Sequence, residues 1–75
     1  MNGKASEVLN FIKQYKRQRG VAPSYREIGQ ACGLASTSVV GYYLAKLEVH
    51  RKIVRLKGVS RGILLQSEAE DRGLV

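Results

Sequence analysis

Apolar positions fall into three blocks with helical spacing, followed by two short blocks of another character. Val8, Phe11, Ile12 and Tyr15 stand at i, i+3, i+4 and i+7, one face of a helix predicted over residues 5–19. Ser6 is its candidate cap and Gly20 its candidate stop. The outer face carries Lys13, Lys16, Arg17 and Arg19, where cations suit the negative end of the helix dipole. Ala22 before Pro23 favours extended backbone and breaks the pattern. Ser24-Tyr25-Arg26-Glu27 then matches a capping box and opens a short helix that buries Tyr25, Ile28 and Cys32 before Gly33 ends it. After the brief turn Leu34-Ala35, Ser36 caps a third helix, in which Val40, Tyr43, Leu44 and Leu47 repeat the helical spacing. Beyond Val49 the period changes. Ile53–Leu56 and Ile63–Leu65 read as strands joined through a turn or loop over residues 57–62.

A helix, a break, a short helix, a tight turn and a longer helix are the order of a helix-turn-helix. A two-stranded hairpin is marginal alone, so it is expected to pack on the helices. The predicted fold is mainly α with a small β part: a three-helix winged helix-turn-helix with a C-terminal two-stranded antiparallel hairpin. It occupies residues 1–66. Residues 67–75 show no periodicity and are expected to form an acidic flexible tail or linker.

Charge sharpens this picture. The 75 residues carry a net charge of +7, but residues 1–66 hold twelve Lys and Arg against three Glu, and residues 67–75 hold Arg72 against Glu68, Glu70 and Asp71. Such an excess attracts a polyanion, nucleic acid first and an acidic membrane surface second. A chain this short builds one small core and leaves little room for a deep substrate pocket. One cysteine and one histidine exclude an internal disulfide and a Cys/His zinc site. Val8–Ile12 is interrupted by Asn10 and followed by charges, so no signal peptide is read, and no apolar run approaches a membrane span. The chain is expected to be soluble and cytoplasmic.

Catalysis finds no support in the residues. His50 lies beside Arg51 and Lys52 at a helix end, and Cys32 reads as a small buried hydrophobe. No phosphate-binding or metalloprotease motif is present, and Glu27 is engaged in capping. Neither an enzyme nor a cofactor is expected, and no small-molecule substrate or membrane is expected as a partner.

The third helix carries the functional argument. Opposite its apolar face stand Ser38, Tyr42, Ala45 and Val49, flanked by Gly41 and Lys46, with no acidic residue. Small side chains let a helix lie deep in the major groove, and Ser and Tyr can reach base edges or phosphates. Ser36, Thr37 and Ser38 sit at the helix N-terminus, where free amides favour a phosphate. Lys57, Ser60 and Arg61 at the hairpin tip are placed to grip backbone or minor groove, and Arg26 starts the second helix. The candidate DNA-binding set is therefore Arg26, Ser36, Thr37, Ser38, Tyr42, Lys46, Lys57, Ser60 and Arg61. Two other readings stay open: an ordinary solvated helix face, and a protein-interaction adaptor that docks a partner on Tyr42–Val49.

Four runs carry a family resemblance: Pro23-Ser24-Tyr25-Arg26-Glu27-Ile28-Gly29, Gly33-Leu34-Ala35-Ser36, Leu44-Ala45-Lys46-Leu47 and Ser60-Arg61-Gly62-Ile63. Together they resemble the N-terminal DNA-binding domain of the LexA repressor family over about residues 5–66. The resemblance implies a sequence-specific repressor of transcription that places helix three in the major groove of a palindromic operator and the wing on the backbone. It also implies a second copy on the same site. Where that family usually carries Asn and Glu on the base-reading face, this chain has Ser38, Gly41 and Tyr42, so its operator is expected to differ. Arg51 stands where the family often ends the helix with Gly. The family's self-cleaving protease and dimerisation domain has no counterpart in these residues, so a domain without self-cleavage is expected, either excised or natural.

Overall fold

The computed structural model describes residues 3–74, with the elements α1 (Gly3–Arg19), α2 (Tyr25–Cys32), α3 (Thr37–Val49), β1 (Ile53–Arg55), β2 (Ile63–Leu65) and α4 (Gln66–Asp71). Each helix forms where its apolar stripe has a surface to bury against. From α1 come Ala5, Val8, Leu9 and Ile12; from α2, Ile28 and Cys32; from α3, Val40, Leu44 and Leu47. Ile53 and Ile63 of the hairpin close the same core, so the wing is continuous with the helices. Full burial of such a side chain is worth about 1.5–3 kcal/mol, and these few residues hold a small domain together. No helix of the described residues is long and apolar enough to cross a membrane.

Local chemistry sets the helix boundaries. The Ser24 side chain accepts from the Glu27 amide at 3.1 Å, while Glu27 Oε1 accepts from the Ser24 amide at 2.8 Å. This is the reciprocal box the sequence predicts. Ser36 likewise accepts from the Val39 amide at 3.3 Å and starts α3 in the expected place. Ser6 does not cap α1. The burial of Ala5 carries the apolar stripe back by a turn, the helix begins at Gly3, and Ser6 lies inside it.

The end of α3 bears on the departure at Arg51. Its amide donates to the Glu48 carbonyl at 2.9 Å, and the Lys52 amide donates to the Leu47 carbonyl at 2.9 Å. This is a Schellman turn, whose left-handed position favours glycine. Arg51 occupies it at φ 56°. The turn is kept and the residue is strained.

In the hairpin Ile53 pairs with Leu65, Val54 with Leu64 and Arg55 with Ile63, antiparallel. The loop between the strands is closed by the Leu56 amide on the Gly62 carbonyl (2.7 Å) and the Gly62 amide on the Val59 carbonyl (3.1 Å). A Cβ at position 62 would lie 2.7 Å from the Val59 oxygen, so only glycine fits this fold of the loop.

Two expectations need correction here. The segment from Ser67 is not a flexible tail over its described length. Gln66–Asp71 form α4, Ala69 is fully buried, and Glu68 Oε1 accepts from the Leu65 amide at 2.8 Å to cap the turn. Gly73 at φ 72° and Leu74 close α4 with a second Schellman turn, through bonds to the Glu70 and Ala69 carbonyls. A six-residue helix offers one buried position, too few for a periodicity. Lys16 is the second correction. It does not belong to the outer face of α1: its ammonium reaches the Ile63 carbonyl at 3.0 Å and Glu68 at 3.2 Å, tying α1 to β2 and α4.

Candidate nucleic-acid interface

With Val40, Leu44 and Leu47 turned into the core, helical geometry puts Ser38, Tyr42 and Lys46 on one outward stripe at intervals of four. Ser36, Thr37 and Ser38 are all exposed at the helix start. Tyr42 is 56% exposed, and its ring meets the neighbouring Tyr43 edge-on with centroids 5.2 Å apart. The Lys46 ammonium lies 5.0 Å from the Tyr42 centroid, so the two form one unit, a cation held over an aromatic face. Val49, 79% exposed, continues this face toward the C-terminal end.

Two depressions border α3, one at its first residue, Thr37, and one at Glu48 in its last turn. One lies between the outer side of α2 and the start of α3, lined by Arg26, Gln30, Ser36 and Thr37. The other lies under the hairpin loop, lined by Glu48, Arg55, Lys57 and Ser60. Tyr25 lines both. Seven of the nine candidates thus fall on two patches that share Tyr25 or on the Tyr42–Lys46 unit, and Ser38 lies on the same helix stripe.

Arg61 stands apart. Its Nη1 donates to Glu27 Oε1 at 2.7 Å, to the Tyr15 hydroxyl at 3.2 Å and to the Ala22 carbonyl at 3.0 Å, while Nη2 reaches Glu27 Oε2 at 3.3 Å. Tyr15 in turn donates to Glu27 Oε2 at 3.0 Å. The guanidinium is turned into the root of the wing and joins it to α1 and α2. Arg61 itself lies in the left-handed region, at φ 55°. The hydrogen bond from Arg61, aided by the Ser24 amide, holds the Glu27 carboxyl at about 2, well below its usual range.

Arg55 is tied in the same way. Nε donates to Glu48 Oε1 at 2.9 Å, Nη2 pairs with that oxygen at 2.7 Å, and Nη1 donates to the Tyr25 hydroxyl at 3.1 Å. The sequence reads Tyr25 as a core ring with its hydroxyl at the surface, and the ring does pack partly buried against the core. The sequence does not single out Glu48 and Arg55. No local signal joins a residue in the last turn of α3 to one on β1 or at the start of α2. By contrast, Arg26, Lys46 and Lys57 have no carboxylate partner among the described residues. Burial pushes the Cys32 thiol up, which keeps it protonated and inert, as its inward position requires. Among the described residues, no group of His, Cys, Asp and Glu side chains could hold a metal ion.

Comparison with known proteins points the same way. The family model of the LexA DNA binding domain matches residues 3–62. A LexA repressor of Clostridium kluyveri is 40% identical over 74 residues, covering 99% of this chain and 37% of that protein. The LexA repressor of Syntrophomonas wolfei is 46% identical over 70 residues, 84% of this chain and 34% of the relative. That of Alkaliphilus oremlandii is 54% identical over 48 residues, 64% and 23% respectively. The chain spans well under half the length of these curated relatives. The match runs from the first turn of α1 to the glycine that closes the wing loop, and the chain belongs to the LexA DNA-binding domain family.

Proposed function

We propose that this chain binds double-stranded DNA at specific sequences and represses transcription, as the names of its relatives suggest for them. One observation carries the reading: α3 presents a stripe free of acidic residues, and each of the two depressions at its ends is edged by a cation, Arg26 or Lys57, with no carboxylate partner among the described residues. α3 would enter the major groove with Ser38 and Tyr42 toward the bases. Ser36 and Thr37 would meet a phosphate at its N-terminus, and Lys46 would reach the backbone beside Tyr42. Arg26, Lys57 and Ser60 would hold phosphates on either side. Arg61 would act indirectly by holding the wing at its working angle. A second copy would occupy the other half of a palindromic site. The role is non-enzymatic, and a repressor of this kind would work in the cytoplasm.

Selection from a randomised duplex pool, followed by salt titration of the winner against random DNA, tests the reading. A palindromic winner bound well above random DNA supports a sequence-specific repressor. Equal and steeply salt-dependent binding to both would reduce it to a basic DNA-binding module. No binding at low salt would overturn it and favour an adaptor that docks proteins on Tyr42 and Val49.

A further inference from the structure

We propose that the Tyr25 hydroxyl donates a hydrogen bond to a DNA backbone phosphate, and that Glu48 and Arg55 are the positioning residues that aim it. The inference rests on the DNA reading above and adds a contact that counting cations does not find.

Tyr25 is the first residue of α2, yet it also meets two other elements. Its ring lies beside Gly41 of α3, where an added Cβ would stand 3.9 Å from Tyr25 Cε2. Its oxygen accepts from Arg55 of β1 at 3.1 Å, and its side chain forms the wall common to the two depressions. A phenol accepts and donates, whereas a guanidinium only donates. Arg55 therefore fills the acceptor side of Tyr25 and leaves the phenol proton with no acceptor among the described residues. A guanidinium cannot accept that proton, so it is left for an acceptor in the wall that a duplex lying across α3 and the wing would face. The acceptor such a duplex presents at its edge is a phosphate oxygen, and it needs no charge from the donor.

The bracket behind Tyr25 is built from both chain and side chain. Glu48 Oε2 accepts from the Arg55 amide at 3.2 Å, and Oε1 takes the guanidinium. Arg55 is thereby neutralised, which makes it a poor phosphate ligand and a firm support. Holding the phenol in place before binding removes part of the ordering cost of the contact. The same three side chains join α2, α3 and β1, so the contact reports the angle between the reading helix and the wing.

The test uses the duplex selected from the randomised pool, with a panel in which single phosphates are replaced by neutral methylphosphonates. Tyr25→Phe keeps the ring and is expected to bind about 5–10-fold more weakly. Its salt slope should not change, because no charge is lost. At one phosphate in each half-site, the neutral replacement should weaken the wild-type chain and leave Tyr25→Phe no weaker than before. Arg55→Gln is expected to lose that phosphate-specific effect as well, again at unchanged salt slope. Wild-type-like binding by Tyr25→Phe, or additive losses at every phosphate, would overturn the proposal. So would a fall in salt slope of about one in Arg55→Gln, which would make Arg55 itself the phosphate ligand. If Arg55→Gln fails to fold by circular dichroism, Tyr25→Phe decides alone. Failure of the wild-type chain to bind any duplex at low salt removes the DNA reading itself, whereas wild-type binding with an indifferent Tyr25→Phe removes only this inference.

Discussion

Two groups of cations, one at the root of the wing and one spread over its tip and the helices, differ in what surrounds them. At the root, Arg55 and Arg61 each fork onto a glutamate and also reach a tyrosine hydroxyl. At the tip and on the helices, Lys57, Arg26 and Lys46 meet no carboxylate among the described residues. The root ties α1, α2, α3 and the hairpin together, and in the proposed function the second group would face the polyanion. Net charge does not separate the two. Lys57 and Arg61 are four positions apart in one loop, and only the position of Glu27 on α2 assigns them different work.

The largest expected effect would come from the helix stripe itself. Ser38→Glu places a carboxylate where the groove floor would lie, and we expect specific binding to be lost in a gel-shift or anisotropy titration with the fold intact by circular dichroism. Undiminished binding would remove Ser38 from the interface. Next, Arg26→Ala and Lys57→Ala should each weaken binding to every sequence and lower the salt slope by about 0.9. Arg61→Ala should leave the slope where it is and lower the melting temperature instead, so a slope change there would erase the division between root and tip.

Acid should act on the root through Glu27. The Glu27 carboxyl lies at about 2 when folded, below its ordinary value of 4.5. A depressed folded value means stability that is full above pH 4.5 and drains away as pH falls toward 2. Thermal melts across that window should therefore slope downward with acid, and Glu27→Gln should flatten this contribution. Smallest of all, Arg51→Gly relieves a left-handed backbone outside both groups. It should raise stability in urea by about 0.5–1 kcal/mol with DNA affinity unchanged.

Much of this was legible without coordinates where the signal is local. The capping box at Ser24 and Glu27, the Ser36 cap, the stop at Gly33 and the spacing of Val40, Leu44 and Leu47 depend on residues within a turn or two of each other. All appear as read. What escaped was non-local. α4 carries no periodicity because its six residues hold a single buried alanine, although Glu68 and Gly73 supply its cap signals. Helical periodicity puts Lys16 on the outer face of α1, yet its long side chain reaches across to a carbonyl of β2.

The sequence by itself determined the order of elements, the apolar faces and a stripe on α3 without acids, because helix periodicity and capping are properties of neighbouring residues. Only the tertiary structure decided which cations remain available. Ion pairs such as Arg61 with Glu27 and Arg55 with Glu48 join separate elements, and their formation depends on how those elements pack rather than on any spacing along the chain.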